Sequence, residues 1–453
     1  MANRTKTIQF ADIIAGVNYY IWTEGCQMNA ADSLRVASAL EALGYSACPK
    51  AEEADVIVLN TCVVRQSAED KAVGRLTSLK ALKTRKPDTV LNLMGCMVGI
   101  RETSELKARF PYVDIFSQPS DPHPLIDFLN NNSKEPDQQR TRQIEDILDA
   151  DFAYTLPGSQ KSKVVSTFLP VVFGCSHACA YCVIPLRRGR EISRPPHEIL
   201  ADAKSLVAQG AKEITLLGQI VDRYGLDLEG KPTLGGLLSD LNALPGLERV
   251  RFLTSHPNWM TDELLDAVDA LPKVMPHFEL PIQAGDDSVL RAMRRGYSVD
   301  QFMRIVEKIR ARFKTVSIAT DLIVGFPGET EAQFNNSVKI LEAMRPDMTH
   351  VARYSPRPGT ISARTMPDDV PEDEKLRRFR EIEALQERIS TEINQAYLGT
   401  TIPVLFEEKN KKRWRGRTPT NKLVFAESND DLQGQVRAAA ITWAGPWSMI
   451  ATV

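Results

Sequence analysis

No run of the sequence approaches the ~18 consecutive apolar residues of a membrane span, so none is expected. Nor is there an excess of charge of one sign. Lys and Arg number 56 against 58 Asp and Glu, for a formal net charge of −2. This chain is not a polycation, and any nucleic-acid site must be a local patch. Met1 to Ile8 is polar and basic but lacks the apolar core of a signal peptide. Cysteine is sparse: seven in 453 residues, six of them in two groups of three. That is no disulfide framework for a chain of this length, and it fits a reducing cytoplasm. The remaining composition, 43% apolar and 25% charged, is that of a globular protein, and the length implies two to four domains.

What is present centres on Gly174-Cys175-Ser176-His177-Ala178-Cys179-Ala180-Tyr181-Cys182, just after the apolar run Phe168 to Phe173. Thiolates are soft ligands that favour zinc or iron–sulfur clusters over hard cations. Three cysteines at Cys-x3-Cys-x2-Cys on one tight loop can hold three irons of a 4Fe-4S cube and leave the fourth open. Structural zinc would want four protein ligands in paired two-residue spacings, and no partner pair follows at that distance. An incidental cluster of buried cysteines is the other competing reading.

With an aromatic residue just before its last cysteine, this loop resembles the signature of the radical S-adenosylmethionine (SAM) enzymes. The resemblance implies that the open iron chelates the methionine part of SAM, and that an electron from the cluster cleaves SAM to methionine and a 5′-deoxyadenosyl radical. Cys175, Cys179 and Cys182 would be the ligands.

Residues of about 15–130 alternate strand and helix patterns. Val17 to Trp22, Asp55 to Asn60 and Thr89 to Met94 read as strands, Ala31 to Leu43 and Ala68 to Leu82 as helices, and together they imply a parallel sheet in an α/β layer. Cys26, Cys62 and Cys96 each follow a strand, and ligands collect at the carboxyl ends of parallel strands. The three can hold a second three-thiolate cluster; three small core residues is the alternative. Cys48 lacks this placement and reads as a spare thiol. The surrounding motifs, Thr23-Glu24-Gly25-Cys26-Gln27-Met28-Asn29, Asn60-Thr61-Cys62-Val63-Val64-Arg65 and Met94-Gly95-Cys96-Met97, resemble those of the methylthiotransferase family of radical SAM enzymes. In that family the N-terminal cysteines hold an auxiliary 4Fe-4S cluster that handles the sulfur. The resemblance therefore assigns it to Cys26, Cys62 and Cys96 here.

A polar linker is expected at 131–165. Beyond it, strand candidates Phe168–Phe173, Glu213–Leu217, Val250–Thr254, His277–Leu280, Val316–Thr320 and Thr349–Tyr354 alternate with helices. Six such units make an open barrel of parallel strands, with its active site at the carboxyl ends. Gln219, Ser255, Gln283 and Asp321 follow successive strands and are candidate SAM contacts, although turn formation and helix capping compete for them. His256 is more often a satisfied structural histidine than an acid or base. Ile220, Asp222 and Arg223 depart from the Asn, Asn and Ser usual in the tRNA-acting branch of the family, which puts the detail of that loop in doubt.

Residues 371–397 read as a charged helix with one apolar stripe. Short strands after it resemble the TRAM domain, a small OB-like RNA-binding β-barrel. Between its first strands lies a basic run with Lys409, Lys411, Lys412, Arg413, Trp414, Arg415 and Arg417, able to meet phosphates and stack on a base. A solvated hairpin tip is the bland alternative.

The expected architecture is thus α/β: an N-terminal parallel-sheet domain (15–130), a linker (131–165), an open (β/α)6 radical SAM barrel with its trailing helix (166–395) and a TRAM barrel (396–453). The motifs look most like the MiaB-type branch. That resemblance implies two 4Fe-4S clusters and SAM as cofactors, and methylthiolation at position 2 of the isopentenylated adenosine next to the anticodon of tRNA. The partners would be the anticodon stem-loop, an external electron donor and a sulfur source, and the protein would act as a monomer. Threonylcarbamoyladenosine in tRNA, or an aspartate of a ribosomal protein, is the alternative substrate. An iron–sulfur RNA-binding or redox sensor is the remoter one; SAM cleavage on reduction separates it.

Overall fold

The computed structural model describes residues 16–100, 103–131 and 154–453. The basic start and most of the expected polar linker lie outside the described residues. Two compact units emerge: residues 1–161 together with Leu186–Arg188, and Ser162–Pro185 together with Gly189–Val453.

In the first unit, β1 (Asn18–Thr23), β2 (Ser46–Ala47), β3 (Val56–Thr61), β4 (Val90–Gly95) and β5 (Ile115–Ser117) form one parallel sheet in the order β2-β1-β3-β4-β5. Every residue of β3 is buried, which explains its unbroken apolar run rather than an alternating one. Helix α1 (Gln27–Ala42) follows β1, and α2 (Gln66–Arg85) follows β3. The buried Ala68, Ala72, Leu76, Leu79 and Leu82 recur at helical spacing along α2, while Lys71, Lys80 and Arg85 face solvent. This strand order reverses direction between β1 and β3. Such a switch point opens a crevice at the carboxyl ends of the two strands.

The second unit begins with β6 (Ser166–Pro170) and β7 (Val172–Phe173). The sequence reading made these one strand. Instead β6 lies parallel to the next barrel strand, and β7 turns away to pair antiparallel with β8 (Ile192–Ser193). Pro170, which has no N–H to give a ladder, marks the break. The barrel strands continue as β9 (Glu213–Leu217), β10 (Arg249–Phe252), β11 (His277–Glu279), β12 (Ser317–Val324) and β13 (Met348–Arg353). All pairings within β6-β9-β10 and β11-β12-β13 are parallel. Backbone bonds join the two groups: Val250 N–H to Lys273 O at 2.7 Å and Ser255 N–H to Glu279 O at 3.0 Å. The six strands therefore follow one another in chain order, as the six βα units predict. Helices lie between them, two opened by full capping boxes, Ser298 with Gln301 and Thr330 with Gln333.

Strand β12 is longer than expected. Leu322-Ile323-Val324 carries it past Asp321, which consequently lies inside the strand rather than beyond it. After the helix Glu372–Gln395 come β14 (Thr401–Asn410), β15 (Arg413–Arg417), β16 (Leu423–Glu427), β17 (Val436–Ala444) and β18 (Met449–Thr452), closed in the order β14-β15-β16-β18-β17. Val404, Phe406, Trp414, Val424, Ile441 and Met449 fill this barrel. Among the described residues no helix is long and apolar enough to cross a membrane.

Candidate active site

The first unit brings its three cysteines to one edge. Cys26 ends β1 as the N-cap of α1, Cys62 follows β3 and Cys96 follows β4. The first two flank the switch point. A buried amide lattice fixes this edge. Asn29 Nδ2 donates to Asn60 Oδ1 at 2.8 Å and to Thr61 O at 3.2 Å, and Asn60 Nδ2 returns a bond to Asn29 O at 2.8 Å. Gly25, at φ +149°, lets the backbone pass close: a Cβ there would stand 2.5 Å from Asn29 Oδ1 and 3.0 Å from Cys62 Cβ. Burial pushes the Cys62 thiol up to about 11, and the neighbouring Cys96 and Cys26 push the same way. Burial also raises Cys96, opposed by the Arg188 guanidinium, whose Nε–H donates to Cys96 Sγ at 3.2 Å. The three thiols therefore lie near one another at this edge, with Cys62 and Cys96 buried and Cys26 exposed. Cys48 stands apart, against Tyr19 O and Lys50 O.

In the second unit the loop from Gly174 leaves β7 at the carboxyl-terminal edge of the barrel. The Gly189–Arg194 segment laces it. Cys175 N–H donates to Gly189 O at 3.0 Å, and Glu191 N–H donates to Ser176 Oγ at 3.0 Å. At Gly174, φ +61°, a Cβ would fall 2.0 Å from Arg190 O, so the lacing demands glycine there. Burial pushes the Cys182 thiol up to about 12, with Cys179 and Cys175 adding to it. Burial raises Cys175 as well, again with Cys179 contributing.

Among the described residues no Cys, His, Asp or Glu trio closes into a single-ion cage. A 4Fe-4S cube puts each cysteine on a different iron, so its thiolates stand wider apart than ligands of one zinc ion. In chemistry, number and mutual influence, both triads fit three-cysteine cluster sites.

The other candidates share the barrel edge. Gln219 follows β9, partly exposed. Ser255 follows β10, 2% exposed, and its Oγ finds no hydrogen-bond partner among the described residues. Gln283, at φ +72°, bridges β11 to β12: its N–H donates to Asp321 O at 2.9 Å and its carbonyl accepts from Ile323 N–H at 3.0 Å. Thr254 is also left-handed, at φ +67°. Two non-glycine residues held in this region at adjacent strand ends mark a tightly determined surface.

Sequence reasoning missed a polar cluster beside the cysteine loop. His256 is 1% exposed, and burial lowers its pKa to about 2, so its ring is neutral. Its Nδ1 accepts from Asn258 N–H at 3.3 Å, which leaves Nε2 as the protonated nitrogen, and that atom has no partner among the described residues. The His177 ring, centred 4.8 Å away, also has an unpartnered Nε2. Arg223 lies 4.3 Å over Trp259 and binds both oxygens of Glu191 at 3.0 Å. Only spatial proximity reveals this group, since its members come from four places in the chain: His177, Glu191, Arg223, and His256 with Asn258 and Trp259.

The departures Ile220, Asp222 and Arg223 have local partners. Ile220 packs with Cys175 and Ile184, Arg223 holds Glu191, and Asp222 accepts the His256 N–H with both oxygens, at 3.1 and 2.9 Å. Burial lifts the Asp222 carboxyl from 3.8 to about 8, although the His256 N–H opposes it. A carboxyl raised on folding stabilises the protein below its unfolded value, and that contribution is lost as pH rises through its folded value. Asp222→Asn keeps one acceptor and removes the charge. Chemical denaturation at pH 5 and pH 8 is expected to show the variant gaining roughly 1–3 kcal/mol over the parent at the higher pH and little at the lower. An equal effect at both values would rule the carboxyl out as the cause.

The C-terminal barrel corrects one assignment. Trp414 is not available to a base: it is 5% exposed, packs in the barrel core, and its Nε1–H donates to Asp430 O at 3.1 Å. It occupies an inward position of β15, where alternation buries every second residue. The basic run is also less naked than it reads. Arg413 pairs with Glu427 at 3.1 Å, and Arg415 with Glu407 at 3.0 Å and Glu408 at 3.1 Å. Arg417 lies 3.7 Å from Glu407, and Lys409 donates to Ser428 O at 2.9 Å. These carboxylates lie across the strands, invisible within the run itself. Lys411 and Lys412, at the exposed hairpin turn, have no ion pair among the described residues. Half-exposed Trp443 and Trp447 stand at the β17–β18 hairpin instead. Through the register, Arg415, Phe425, Ile450 and Trp443 make one outward row across β15, β16, β18 and β17.

The segment Thr418-Pro419-Thr420-Asn421-Lys422 has a structural job. Arg251, ion-paired to Glu213 at 3.0 Å, donates to Pro419 O and Thr418 O, each at 2.8 Å, and Ser317 Oγ donates to Thr420 O at 2.8 Å. These partners begin or nearly begin β9, β10 and β12. The small barrel is therefore docked on the edge of the larger one opposite the cysteine loop.

Comparison with known proteins agrees with this arrangement. The model described as "Uncharacterized protein family UPF0004" matches residues 18–117, and that of the radical SAM superfamily matches residues 169–341. A tRNA-2-methylthio-N(6)-dimethylallyladenosine synthase of Roseiflexus sp. (strain RS-1) is 46% identical over 434 residues, covering 95% of this chain and 88% of its own. The enzyme of the same name from Herpetosiphon aurantiacus is 46% identical over 432 residues, covering 95% of both chains. Among solved structures, the radical SAM methyltransferase TsrM of Kitasatospora setae, with cobalamin and a [4Fe-4S] cluster bound, superposes with a TM-score of 0.55 at 13% identity, covering 89% of this chain and 81% of that one. That likeness concerns the fold. The identities over nearly the full length of the first two decide the kinship: this chain belongs to the family of the tRNA-2-methylthio-N(6)-dimethylallyladenosine synthases.

Proposed function

We propose that this protein adds a methylthio group to position 2 of N6-isopentenyladenosine next to the anticodon of tRNA, with SAM and two 4Fe-4S clusters. The observation that carries the reading is the pair of cysteine triads, one at the carboxyl ends of the parallel strands β1, β3 and β4 and one on the single loop that follows β7. Cys175, Cys179 and Cys182 would hold the cluster that reduces SAM, and Cys26, Cys62 and Cys96 the auxiliary cluster that handles sulfur. When bound, these groups supply the radical chemistry that an aromatic C–H bond without an acidic proton needs. The chain's own contribution is placement. The Gly189–Arg194 lacing holds the cysteine loop, and we assign SAM contacts to Gln219, Ser255 and Gln283, which follow β9, β10 and β11, and to Asp321 within β12. His256, held neutral by burial, and His177, whose pKa burial lowers, offer ring nitrogens there without a hydrogen-bond partner among the described residues. Domain limits near residues 130, 165 and 395, a monomeric state, a cytoplasmic setting and an external electron donor and sulfur source complete the proposal.

The test is direct. Reduced protein supplied with SAM should convert an isopentenylated anticodon stem-loop and leave the unmodified adenosine form untouched, as read by mass analysis of nucleosides. Turnover of a threonylcarbamoylated stem-loop or a ribosomal-protein peptide instead would move the protein to a sister branch.

For RNA binding we assign phosphate contact to Lys411 and Lys412 and base stacking to Trp443. Replacing both lysines with Ala should lower the slope of log affinity against log salt by up to about two, roughly one per lost phosphate contact. Trp443→Ala should cost about 1–3 kcal/mol of tRNA affinity. Trp414→Ala should instead cost about 3–5 kcal/mol of stability, as for any large core truncation. Unchanged tRNA affinity in the Trp443 variant would remove this face from the substrate site.

A further inference from the structure

Each cysteine triad has one buried arginine donating to one of its sulfurs. In the first unit Arg188 Nε–H reaches Cys96 Sγ at 3.2 Å, and in the second Arg295 Nη1–H reaches Cys179 Sγ at 3.2 Å. The surroundings of the two cations differ. Arg188 has a counter-ion: its guanidinium lies 3.3 Å from Asp32 Oδ2, and Ser120 Oγ donates to the other Asp32 oxygen at 2.6 Å. The Arg188 side chain is 4% exposed and that of Asp32 is 0% exposed. Arg295, 5% exposed, has no carboxylate partner among the described residues. Its Nε–H donates to Tyr297 Oη at 2.9 Å, its Nη2 lies 3.5 Å from Pro281 O, and the Tyr297 ring sits 5.3 Å from its centre. A buried guanidinium without an anion is strongly disfavoured. The Cys179 sulfur it touches is a place where negative charge would be stabilised.

We infer that Arg295 and Arg188 are positioning residues that set the reduction potential of the cluster on their own triad, and that Arg295, uncompensated, has the larger effect. The inference rests on the proposed assignment of both triads. Reduction adds one electron, from an external one-electron reductant, and one negative charge to a cluster. An N–H donor with a full positive charge on a ligand sulfur favours that reduced state, so removing it lowers the potential. Asp32 cancels much of this field at Cys96, and among the described residues no carboxylate pairs with Arg295 to do so at Cys179.

The test uses full-length protein loaded anaerobically with iron and sulfide, in two backgrounds that each retain one triad: Cys26, Cys62 and Cys96 all Ala, or Cys175, Cys179 and Cys182 all Ala. Dithionite with mediators sets the potential, and the electron paramagnetic resonance signal of the reduced cluster reports its occupancy. Arg295→Met should disfavour reduction of the radical cluster at least tenfold, a downward shift of about 59 mV or more for a one-electron couple. Arg188→Met should shift the auxiliary cluster in the same direction by less, and each change should leave the other cluster where it was. Lysine at either position should restore part of the shift. If a methionine variant fails to hold its cluster, Arg→Gln and Arg→Lys at the same site are compared instead, and equal potentials for that pair would overturn the inference. So would normal loading with no movement of potential, or a larger shift at Arg188 than at Arg295. Failure of the underlying assignment looks different: a background lacking one triad would still carry both clusters.

Discussion

Replacing Cys175, Cys179 and Cys182 together with alanine is expected to bring reductive SAM cleavage down to the enzyme-free background. Under the proposed assignment iron content should fall by about half, with the auxiliary cluster retained. The size of the effect follows from the site. A cube with one open iron already has the fewest protein ligands it can spare, and the local structure offers no substitute. His177 and Glu191 lie beside the loop, but Glu191 is engaged by Arg223 through both oxygens, and the one open ring nitrogen of His177 cannot stand in for three thiolates. Folding should survive, because the loop is tied by main-chain bonds at Cys175, Ala180 and Cys182 rather than by its thiols. Circular dichroism and 5′-deoxyadenosine yield, measured on the same preparation, separate the two. Normal 5′-deoxyadenosine formation by the triple variant would overturn this role for the loop.

Why these cysteines could be read from sequence, and their neighbours could not, has a physical basis. A thiolate site on one loop is written in its spacing, and a parallel strand end is written in an apolar run followed by glycine and cysteine. Local patterns of this kind gave the six barrel strands and both triads. Three kinds of information were not local. Strand pairing was the first: Pro170 splits an apparently single strand, and Leu322 to Val324 carries β12 past Asp321. Cross-strand charge was the second: Glu407, Glu408 and Glu427 neutralise arginines that have no acidic residue within their own run. Inward and outward alternation was the third. Trp414 and Trp443 both lie on strands of one small barrel, and one is core while the other is half in solvent. A one-residue change of register exchanges such roles, so a basic run with an aromatic residue says little about which face the ring takes.

The buried arginines belong to this non-local class. Arg188 stands on the short helix Ile184–Arg188, yet Asp32 and Cys96 come from the distant chain that builds the N-terminal sheet. That a piece of chain just beyond Cys182 packs into the first unit is visible only in the fold.

Replacing Cys26, Cys62 and Cys96 together is expected to separate the two halves of the chemistry: methylthiolated nucleoside should disappear from the product, while 5′-deoxyadenosine still forms from SAM. Both halves of this expectation come from placement. The three cysteines cap strands of the N-terminal sheet, and the loop that carries Cys175, Cys179 and Cys182 belongs to the other unit, with its own backbone lacing. Their removal leaves that lacing intact. The Asn29–Asn60–Thr61 lattice, which fixes the carboxyl ends of β1 and β3, uses amide and carbonyl groups and should hold the edge in shape without the thiols. Arg188 would lose its sulfur acceptor but keep Asp32, so it is not stranded as a lone buried charge. The expected loss of stability is about 1–3 kcal/mol, the ordinary range for small buried substitutions, against a complete loss of product. Nucleoside mass analysis and 5′-deoxyadenosine yield on one reaction decide the matter. Product at wild-type levels would return Cys26, Cys62 and Cys96 to the status of core residues, and loss of SAM cleavage along with product would show that the two triads do not act as separate sites.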